Sequence, residues 1–568
     1  MMRIICRRRL LAKPGENLDR QSFGLYVERA GRESPSRHAA SLIGCRSPGC
    51  GTVSRILILL MFVFWLAWKP QYSRPALFGA YPSIAIFLGF YALLVLGTGL
   101  WSRRLRRKVA GPMFSKSLDR FNVVMLTARV LIPLWFMVGI AVLGWWQTVE
   151  RIISNPRGID LTQTTIGVLL GTLPAFGAWV ALWWSQYPAE VAFREQSMLS
   201  HLEFDMPVFK PPGFASYFKS NVRLQLLFMI VPVCLIVALH DLFRLAATLA
   251  LGSRWGINDA ENPFSWLAAA AVIFLFAPEI LRRVLHTEPL ANSPLRRRLE
   301  SLCRRTGVKY RDILLWRTQN NVGNAAVMGF VPRFRYILLS DLLLETMTDE
   351  QIEAVFAHEL GHIVHRHMAW LVVFIMVLML FNLGGGAWVT RWMAHAGVSS
   401  EAAQGIVIGT TYLFKFLLLF GFVSRRFERQ ADVFAARTME LSRATVPDIA
   451  ASDMLLAARK ITGSATAALA LAEPLEYASD YAPGHVGQYG AAVFGSALHR
   501  VAMVNNIPVK ARSWCHGSIA NRMQYLHDLS ADPTRTKRFD RLMLFLYAAM
   551  VFALFAGVAF CWASNALT

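Results

Sequence analysis

Long uninterrupted runs of apolar residues constrain the fold of this chain more than any other feature of its sequence. A membrane-spanning helix needs about 20 consecutive, mostly apolar residues. Such runs recur along the 568 residues, of which 55% are hydrophobic and only 17% are charged. They predict nine spans, or eight if the short first run does not cross, at 56–68, 77–101, 122–147, 163–185, 224–250, 264–281, 369–390, 404–423 and 542–563. A polytopic, mainly α-helical membrane protein is therefore expected.

The net charge of +23 has two explanations. One is nucleic-acid binding, but the sequence contains no motif that reads DNA or RNA. The other is membrane topology, because the basic residues cluster at the ends of apolar runs, as in Ser102–Lys108 and at Arg425 and Arg426. We therefore expect no nucleic-acid partner. We expect a protein integral to the cell (inner) membrane, with its N-terminus in the cytosol and its C-terminus outside.

One stretch outside the apolar runs has the spacing of a metal site. The sequence HELGH, from His358 to His362, lies in TDEQIEAVFAHELGHIVHRH, which we interpret as one helix with a capping box of Thr348 and Gln351. The two histidines are four residues apart, so both imidazoles leave one helix face, as two ligands of a tetrahedral zinc ion require. Glu359 lies about 100° round the helix, where it is suited to act as a general base on water at the metal. The alternative is a charged helix face with two solvated histidines.

The third ligand is expected after the eighth apolar run, where the chain returns to the side of the membrane that holds HELGH. The returning segment is SRRFERQADVFAAR, Ser424–Arg437. In it, Glu428 is placed to complete a site with two histidines and a carboxylate, which leaves the fourth position for water. Asp432 is suited to accept the second N–H of a ligand histidine. A surface carboxylate pair is the alternative. His365 and His367 are competing ligand candidates, for which we favour roles beside the metal or at the surface.

A small α/β unit precedes the HELGH helix. It consists of a basic helix at Pro294–Thr306 and three apolar segments bounded by Gly and Pro, at Ile313–Arg317, Asn324–Phe330 and Arg335–Ser340. A strand beside a zinc helix can pair with an extended peptide through its backbone. An ordinary buried strand is equally compatible with the sequence.

Further on, WCHGSIANRMQYL contains His516 and Arg522. The two lie roughly on one face if the segment is helical. A histidine and an arginine together can stabilise an oxyanion. Spacing alone, however, favours a histidine at a helix start and a solvated arginine.

Four motifs, NAAVMG, HELGHIVHRH, SRRFERQAD and CHGSIANR, occur in this order. In these motifs and their order, the chain resembles the membrane zinc metalloproteases that include the HtpX heat-shock proteases and the CaaX prenyl endopeptidases. The resemblance covers roughly 290–440 and, more weakly, 510–530. It implies one zinc ion per chain, bound by His358, His362 and Glu428.

The resemblance also implies the roles of other residues. It implies that Glu359 is the catalytic base and that His516 and Arg522 polarise the scissile carbonyl. The chain departs from the family at Gly517, where the family usually has proline. The implied strand that docks the substrate consists of Asn324, Ala325, Ala326, Val327, Met328 and Gly329.

These observations predict a polytopic helical membrane protein that carries a small cytosolic α/β protease domain of the zincin (gluzincin) type. The expected divisions are a disordered basic arm (1–53), an N-terminal transmembrane region (54–285), the first half of the protease domain (286–368), a transmembrane hairpin (369–423), the second half of the protease domain (424–540) and a C-terminal transmembrane helix (541–568). The segment 463–500 is an insertion without an assigned role.

The expected function is zinc-dependent endopeptidase activity at the cytosolic face of the lipid bilayer. Its substrates would be membrane-associated proteins or peptides. Two alternatives stay open: CaaX-type prenyl protease activity, and a non-catalytic transporter or scaffold with a structural metal. The second alternative is motivated by Asp241, Arg244 and Lys415 within apolar runs. The sequence leaves the oligomeric state open.

Overall fold

A computed structural model of the chain describes residues 48–564 with several gaps. The described ranges are 48–67, 78–107, 114–153, 164–203, 213–251, 263–319, 322–398, 401–444, 484–505, 507, 509–511, 513 and 515–564. The predicted disordered arm lies outside them up to residue 47, but residues 48–53 belong to the first helix instead. The predicted insertion lies outside them up to residue 483.

The first half of the described chain is helical, because in an apolar environment a helix satisfies its own backbone hydrogen bonds. Its helices are α1 (Pro48–Ala67), α2 (Ala80–Arg106), α3 (Phe114–Ala141), α4 (Trp145–Ile153), α5 (Thr165–Glu203), α6 (Phe214–Asn221), α7 (Phe228–Leu251) and α8 (Pro263–Val284). A π-helical segment, Val222–Leu227, joins α6 to α7. The shared core of this region is aromatic, with Trp65, Trp146, Trp179 and Trp183 fully buried.

A four-stranded sheet follows these helices. Its strands are β1 (Thr287–Pro289), β2 (Asp312–Trp316), β3 (Ala325–Met328) and β4 (Tyr336–Ser340). Their order is β1-β2-β4-β3, with β2 and β4 parallel and both outer pairings antiparallel. The three apolar segments therefore form strands as predicted. The sequence analysis missed β1, because three residues are too few to show an alternating pattern.

The two faces of the sheet pack against different parts of the chain, because successive residues of a strand point to opposite sides. One face carries Ile313, Ala325, Ile337 and Leu339. The other face carries Leu314, Trp316, Met328, Tyr336 and Leu338. Leu224 of the π-helical segment and Phe228 of α7 cover this second face. The sheet thus links the N-terminal helices to the helices that follow it.

The remaining helices surround the first face and continue to the end of the described chain. They are α9 (Pro294–Arg305), α10 (Asp341–Thr346), α11 (Asp349–Val364), α12 (His367–His395), α13 (Glu401–Ala444), α14 (Gln488–Val504), α15 (Ile519–Ala531) and α16 (Pro533–Ala563). Thr348 and Gln351 form the predicted capping box at the start of α11.

The prediction of a single helix through His367 is wrong. Helix α11 ends at Val364, Arg366 adopts a left-handed conformation with φ 53°, and α12 starts at His367. A left-handed residue costs about 1–2 kcal/mol outside glycine, so sequence patterns give little reason to expect it at an arginine. The break turns the chain sharply between the two helices.

Seven helices of the described chain are long and apolar enough to cross a membrane. They are Ala80–Arg106, Arg120–Ala141, Thr165–Gln196, Phe214–Ala246, His367–His395, Val407–Ser442 and Pro533–Ala563. The first of the nine predicted spans is instead a shorter apolar helix, Leu57–Leu66. The sixth corresponds to α8, which ends in a charged group of Glu279, Arg282 and Arg283.

Helix α14 supports the metal-site region from behind, since it packs on both α11 and α13. A Cβ atom added at Gly490 would lie 2.0 Å from the carbonyl oxygen of Ala436 in α13. We expect Gly490→Ala to lower the free energy of unfolding by about 1–3 kcal/mol, because the two helices must separate.

Gly495 of the same helix is the matched control, since nothing lies within 4 Å of its added Cβ. Gly495→Ala should be neutral or stabilising by up to about 1 kcal/mol, the difference in helix propensity. Thermal unfolding of the two purified variants in detergent compares them. Equal unfolding temperatures would contradict the proposed close packing at Gly490.

Candidate metal centre

Two helices bring the three predicted metal ligands together. Helix α11 carries His358 and His362, and α13 carries Glu428. The helices approach closely at Gly361, where an added Cβ would lie 3.1 Å from the Cα of Ala431. Glycine at the fourth position of HELGH therefore allows the carboxylate on α13 to reach the imidazoles on α11.

The ligand atoms have the separations of a zinc site. The Nε2 atoms of His358 and His362 are 3.3 Å apart. The carboxylate oxygens of Glu428 lie 3.6 Å and 3.8 Å from these two nitrogens. Ligands at about 2.0–2.1 Å from a tetrahedral zinc ion are about 3.3–3.4 Å from each other. Two imidazoles and one carboxylate thus fit zinc and leave one position open.

Asp432 connects this triad to Arg522 of α15. Its Oδ1 atom lies 3.0 Å from Nδ1 of His358. Its two oxygens accept hydrogen bonds of 2.8 Å and 2.5 Å from the guanidinium of Arg522. The same guanidinium lies 3.8 Å from Glu428. Because the side chain of Asp432 is only 1% exposed, these contacts are shielded from water.

The electrostatic environment shifts the pKa values of the two triad histidines in opposite directions. Burial by itself lowers the pKa of His358, but contacts with the carboxylates of Asp432 and Glu428 outweigh it and raise the pKa to about 9. Burial, followed by the neighbouring His358, lowers the pKa of His362 to about 3. The two carboxylates that favour a charged His358 would equally stabilise a bound dication.

Glu359 lies between the triad and strand β3. Burial raises the pKa of the Glu359 carboxyl, and the nearby His358 lowers it in part, so that the pKa is about 7. The carboxyl also accepts a hydrogen bond from the backbone of Val327. A group with a pKa near the working pH is suited both to accept and to donate a proton.

Strand β3 is an outer strand of the sheet. On its inner side, the backbone of Asn324 bonds to Ser340 and the strand pairs with β4. The contact between Val327 and Glu359 shows that the backbone of Val327 points the other way, as expected for alternating residues of an antiparallel strand. Within the described part of the chain, no strand pairs with this outer side.

His516 and Arg522 do not lie on one helix. Ser518 caps α15, so His516 belongs to the preceding turn, in which Ser513 pairs with Gly517. Nδ1 of His516 lies 2.9 Å from Glu428, with the side chain 58% exposed. Arg522 is inside the helix and its side chain is 13% exposed. The two residues therefore approach the triad from different depths.

His367 is adjacent to the triad but is not arranged as a ligand. Its Nδ1 lies 2.9 Å from Nδ1 of His362, on the side of that ring away from the other ligands. The ring of His365 stacks on that of His367 and contacts the ring of Phe434 edge to face. The sequence analysis missed Gln430, which bonds to His367, and Tyr547, whose hydroxyl donates to Gln430. The five-residue spacing of His362 and His367 gave no signal, because it suits contact only when the helix breaks between them.

Comparison with known proteins shows which family this region resembles. Residues 289–481 match the model described as Peptidase family M48. This part of the chain is therefore similar to M48 peptidases. The resemblance inferred from the four motifs is thereby confirmed, as is a mainly helical fold with a small sheet. M48 peptidases are in general zinc-dependent.

Curated proteins similar to this chain include both kinds of protease named by the resemblance. The CAAX prenyl protease 1 homolog of Arabidopsis thaliana is 28% identical over 159 residues, which are 26% of this chain and 38% of that protein. Protease HtpX of Legionella pneumophila (strain Corby) is 27% identical over 171 residues, 29% of this chain and 60% of that protein. The chain thus spans less than two thirds of either relative.

Among solved structures, the crystal structure of S. mikatae Ste24p is similar to the chain. It is 15% identical, has a TM-score of 0.41, and the match covers 80% of this chain and all of that one.

Proposed function

We propose that the protein is an integral membrane, zinc-dependent endopeptidase. The observation that carries the proposal is the triad of His358, His362 and Glu428, with Glu359 beside it and an unpaired strand edge within reach. A structural metal site has no use for the last two features. The proposal extends the family assignment to an activity of this chain.

His358, His362 and Glu428 would hold the metal. Bound zinc would polarise a peptide carbonyl and make a coordinated water more acidic. Glu359 accepts the proton of the attacking water and passes it to the leaving amine. The peptide C–N bond breaks, one water is consumed, and the products are a carboxylate and an amine.

The substrate would bind as an additional strand along the outer side of β3, the segment Asn324–Gly329. This places its backbone beside Glu359, which already contacts Val327. Successive substrate side chains would then alternate between two environments. One side faces α11. The other faces an apolar wall formed by Leu224, Phe228, Val322 and Met328.

His516 and Arg522 are proposed to stabilise negative charge that develops on the scissile carbonyl. Of the two, the exposed His516 is better placed to approach a substrate, since it lies at the open side of Glu428. Arg522 is committed to Asp432 by two hydrogen bonds. Its contribution would therefore come mainly through the position of Asp432.

The active site is proposed to face the cytosol, with the chain in the inner membrane. The support is the distribution of basic residues, which follow the second, sixth and eighth predicted spans. Substrates would be membrane-associated proteins or peptides that present an extended segment at that surface.

Removal and return of zinc tests the proposal. Protein purified in detergent should cleave casein, lose the cleavage after treatment with 1,10-phenanthroline, and recover it with about one zinc ion per chain. Cleavage that persists in protein shown to be metal-free would contradict the mechanism. A protein that binds zinc but cleaves nothing would favour the structural-metal alternative.

The prenyl-protease alternative is a question of substrate. Relatives of both kinds match at similar identity, 28% and 27%, so they do not choose between the two. Cleavage of a peptide with a farnesylated C-terminal cysteine motif, compared with the same unlipidated peptide, decides it. Equal rates would support general endopeptidase activity, and strict dependence on the lipid would support the alternative.

A further inference from the structure

A chain of three side chains runs from the metal triad to the C-terminal membrane helix. We propose that His367, Gln430 and Tyr547 are positioning residues that fix the ring of His362 for metal binding. The inference rests on the proposed zinc site and adds to it a dependence on α16. We call these three residues the relay.

The relay is continuous at hydrogen-bond distances. Nδ1 of His362 lies 2.9 Å from Nδ1 of His367. Nε2 of His367 lies 2.9 Å from Oε1 of Gln430. The hydroxyl of Tyr547 donates to the same oxygen at 2.5 Å.

Only one assignment of protons satisfies every contact when Nε2 of His362 binds a metal. That nitrogen then has no proton, so Nδ1 of His362 carries one and donates it to Nδ1 of His367. His367 therefore carries its own proton on Nε2 and donates to Gln430. The amide oxygen of Gln430 accepts from both His367 and Tyr547. The relay thus selects the tautomer of His362 that leaves Nε2 free for a metal.

The surroundings hold the relay rigidly. His367 is 2% exposed and Gln430 is 9% exposed. The ring of His367 lies parallel to that of Phe427 with a centroid distance of 4.5 Å. The ring of Tyr547 stacks on Trp370 at 4.5 Å. Water therefore does not compete for these hydrogen bonds, and neither ring can turn freely.

The relay joins three helices to the one that carries His362. His362 belongs to α11, and the relay residues His367, Gln430 and Tyr547 belong to α12, α13 and α16. The other ligand histidine, His358, is oriented by the carboxylate of Asp432 instead. The site therefore has one histidine held by a charged partner and one held by a neutral relay. The second becomes correctly oriented only when the membrane hairpin and the C-terminal helix have both docked.

The test measures zinc affinity of the full-length protein in detergent by competition with a chelator of known affinity. Gln430→Leu removes the shared acceptor and should weaken zinc binding about 10–100-fold. Tyr547→Phe removes one hydroxyl, keeps the stacked ring, and should weaken it about fivefold. Gln430→Glu retains an acceptor oxygen and should bind zinc at least as tightly as Gln430.

Tyr412→Phe is the matched control, because Tyr412 lies on α13, the helix of Gln430, and takes no part in the relay. The visible absorption spectrum of the cobalt(II)-loaded protein is a second measurement, and it should change in Gln430→Leu but not in Tyr412→Phe. Wild-type protein that binds one zinc, with affinity unchanged in Gln430→Leu and Tyr547→Phe, would overturn this inference alone. Wild-type protein that binds no zinc would overturn the proposed site, and this inference with it.

Discussion

Glu359→Gln is expected to leave the zinc content unchanged and to lower kcat for peptide hydrolysis by about 10²–10⁴-fold, the usual contribution of a general base. Glutamine has nearly the same shape and still accepts the hydrogen bond from Val327, but it cannot take up a proton. The carboxyl of Glu359 is the only one on α11 that reaches both the triad and the strand edge. Zinc content and initial rates of casein cleavage measure the two effects.

Glu350→Gln is the matched control, because Glu350 lies on the same helix and is exposed. It should keep both the zinc and the rate. The same change in charge is thus made inside and outside the site. A Glu359→Gln variant that retains zinc and cleaves at the wild-type rate would rule out this role of Glu359.

The largest effect on stability is expected for Asp432→Ala, about 3–5 kcal/mol in the free energy of unfolding. The substitution leaves the buried guanidinium of Arg522 without its two hydrogen bonds. It also removes the partner of Nδ1 in His358, so zinc affinity should fall about 10–100-fold. Thermal unfolding and zinc competition measure the two losses separately.

Two further variants show whether burial of the charge is the cause. Asp540→Ala breaks a pair with Arg437 at 2.7 Å in which the aspartate is 49% exposed, so it should cost about 0–1 kcal/mol. Adding Arg522→Met to Asp432→Ala removes the unpaired cation and should restore part of the stability. If Asp432→Ala and Asp540→Ala lower the free energy of unfolding equally little, burial of the pair between Asp432 and Arg522 is not the cause proposed here.

Much of the fold was predictable because it depends on local patterns. Strands β2, β3 and β4 begin and end within two residues of the apolar segments that predicted them. Helix α11 starts at its capping box for the same reason. The convergence of Glu428 with His358 and His362 followed from topology, since a hairpin of two spans returns the chain to its starting side.

The contacts between distant side chains were not predictable in the same way. The break at Arg366 depends on the neighbours of α11 and α12 rather than on arginine, which disfavours a left-handed conformation. Without the break, His367 could not face His362. Tyr547 lies 117 residues from Gln430, so only the packing of α16 brings them together.

The sheet connects the segment that resembles M48 peptidases with the N-terminal helices. Its first face packs on α11, which carries His358 and Glu359. Its second face packs on Leu224 and Phe228, which lie before the segment that matches the family. The apolar wall beside β3 therefore combines Leu224 and Phe228, from before the matched segment, with Val322 and Met328 from within it. We expect the wall to set which substrate residues are accepted at alternate positions, and sequencing of products from a random peptide library would report it.

The central claim is that one zinc ion is held by two imidazoles of α11 and one carboxylate of α13. Anomalous diffraction at the zinc edge from crystals of the full-length protein tests it directly. The account predicts one peak, at about 2.0–2.1 Å from Nε2 of His358, Nε2 of His362 and an oxygen of Glu428. A zinc peak that involves His365 or His367 in place of Glu428, or zinc-loaded crystals without a peak at the triad, would contradict it.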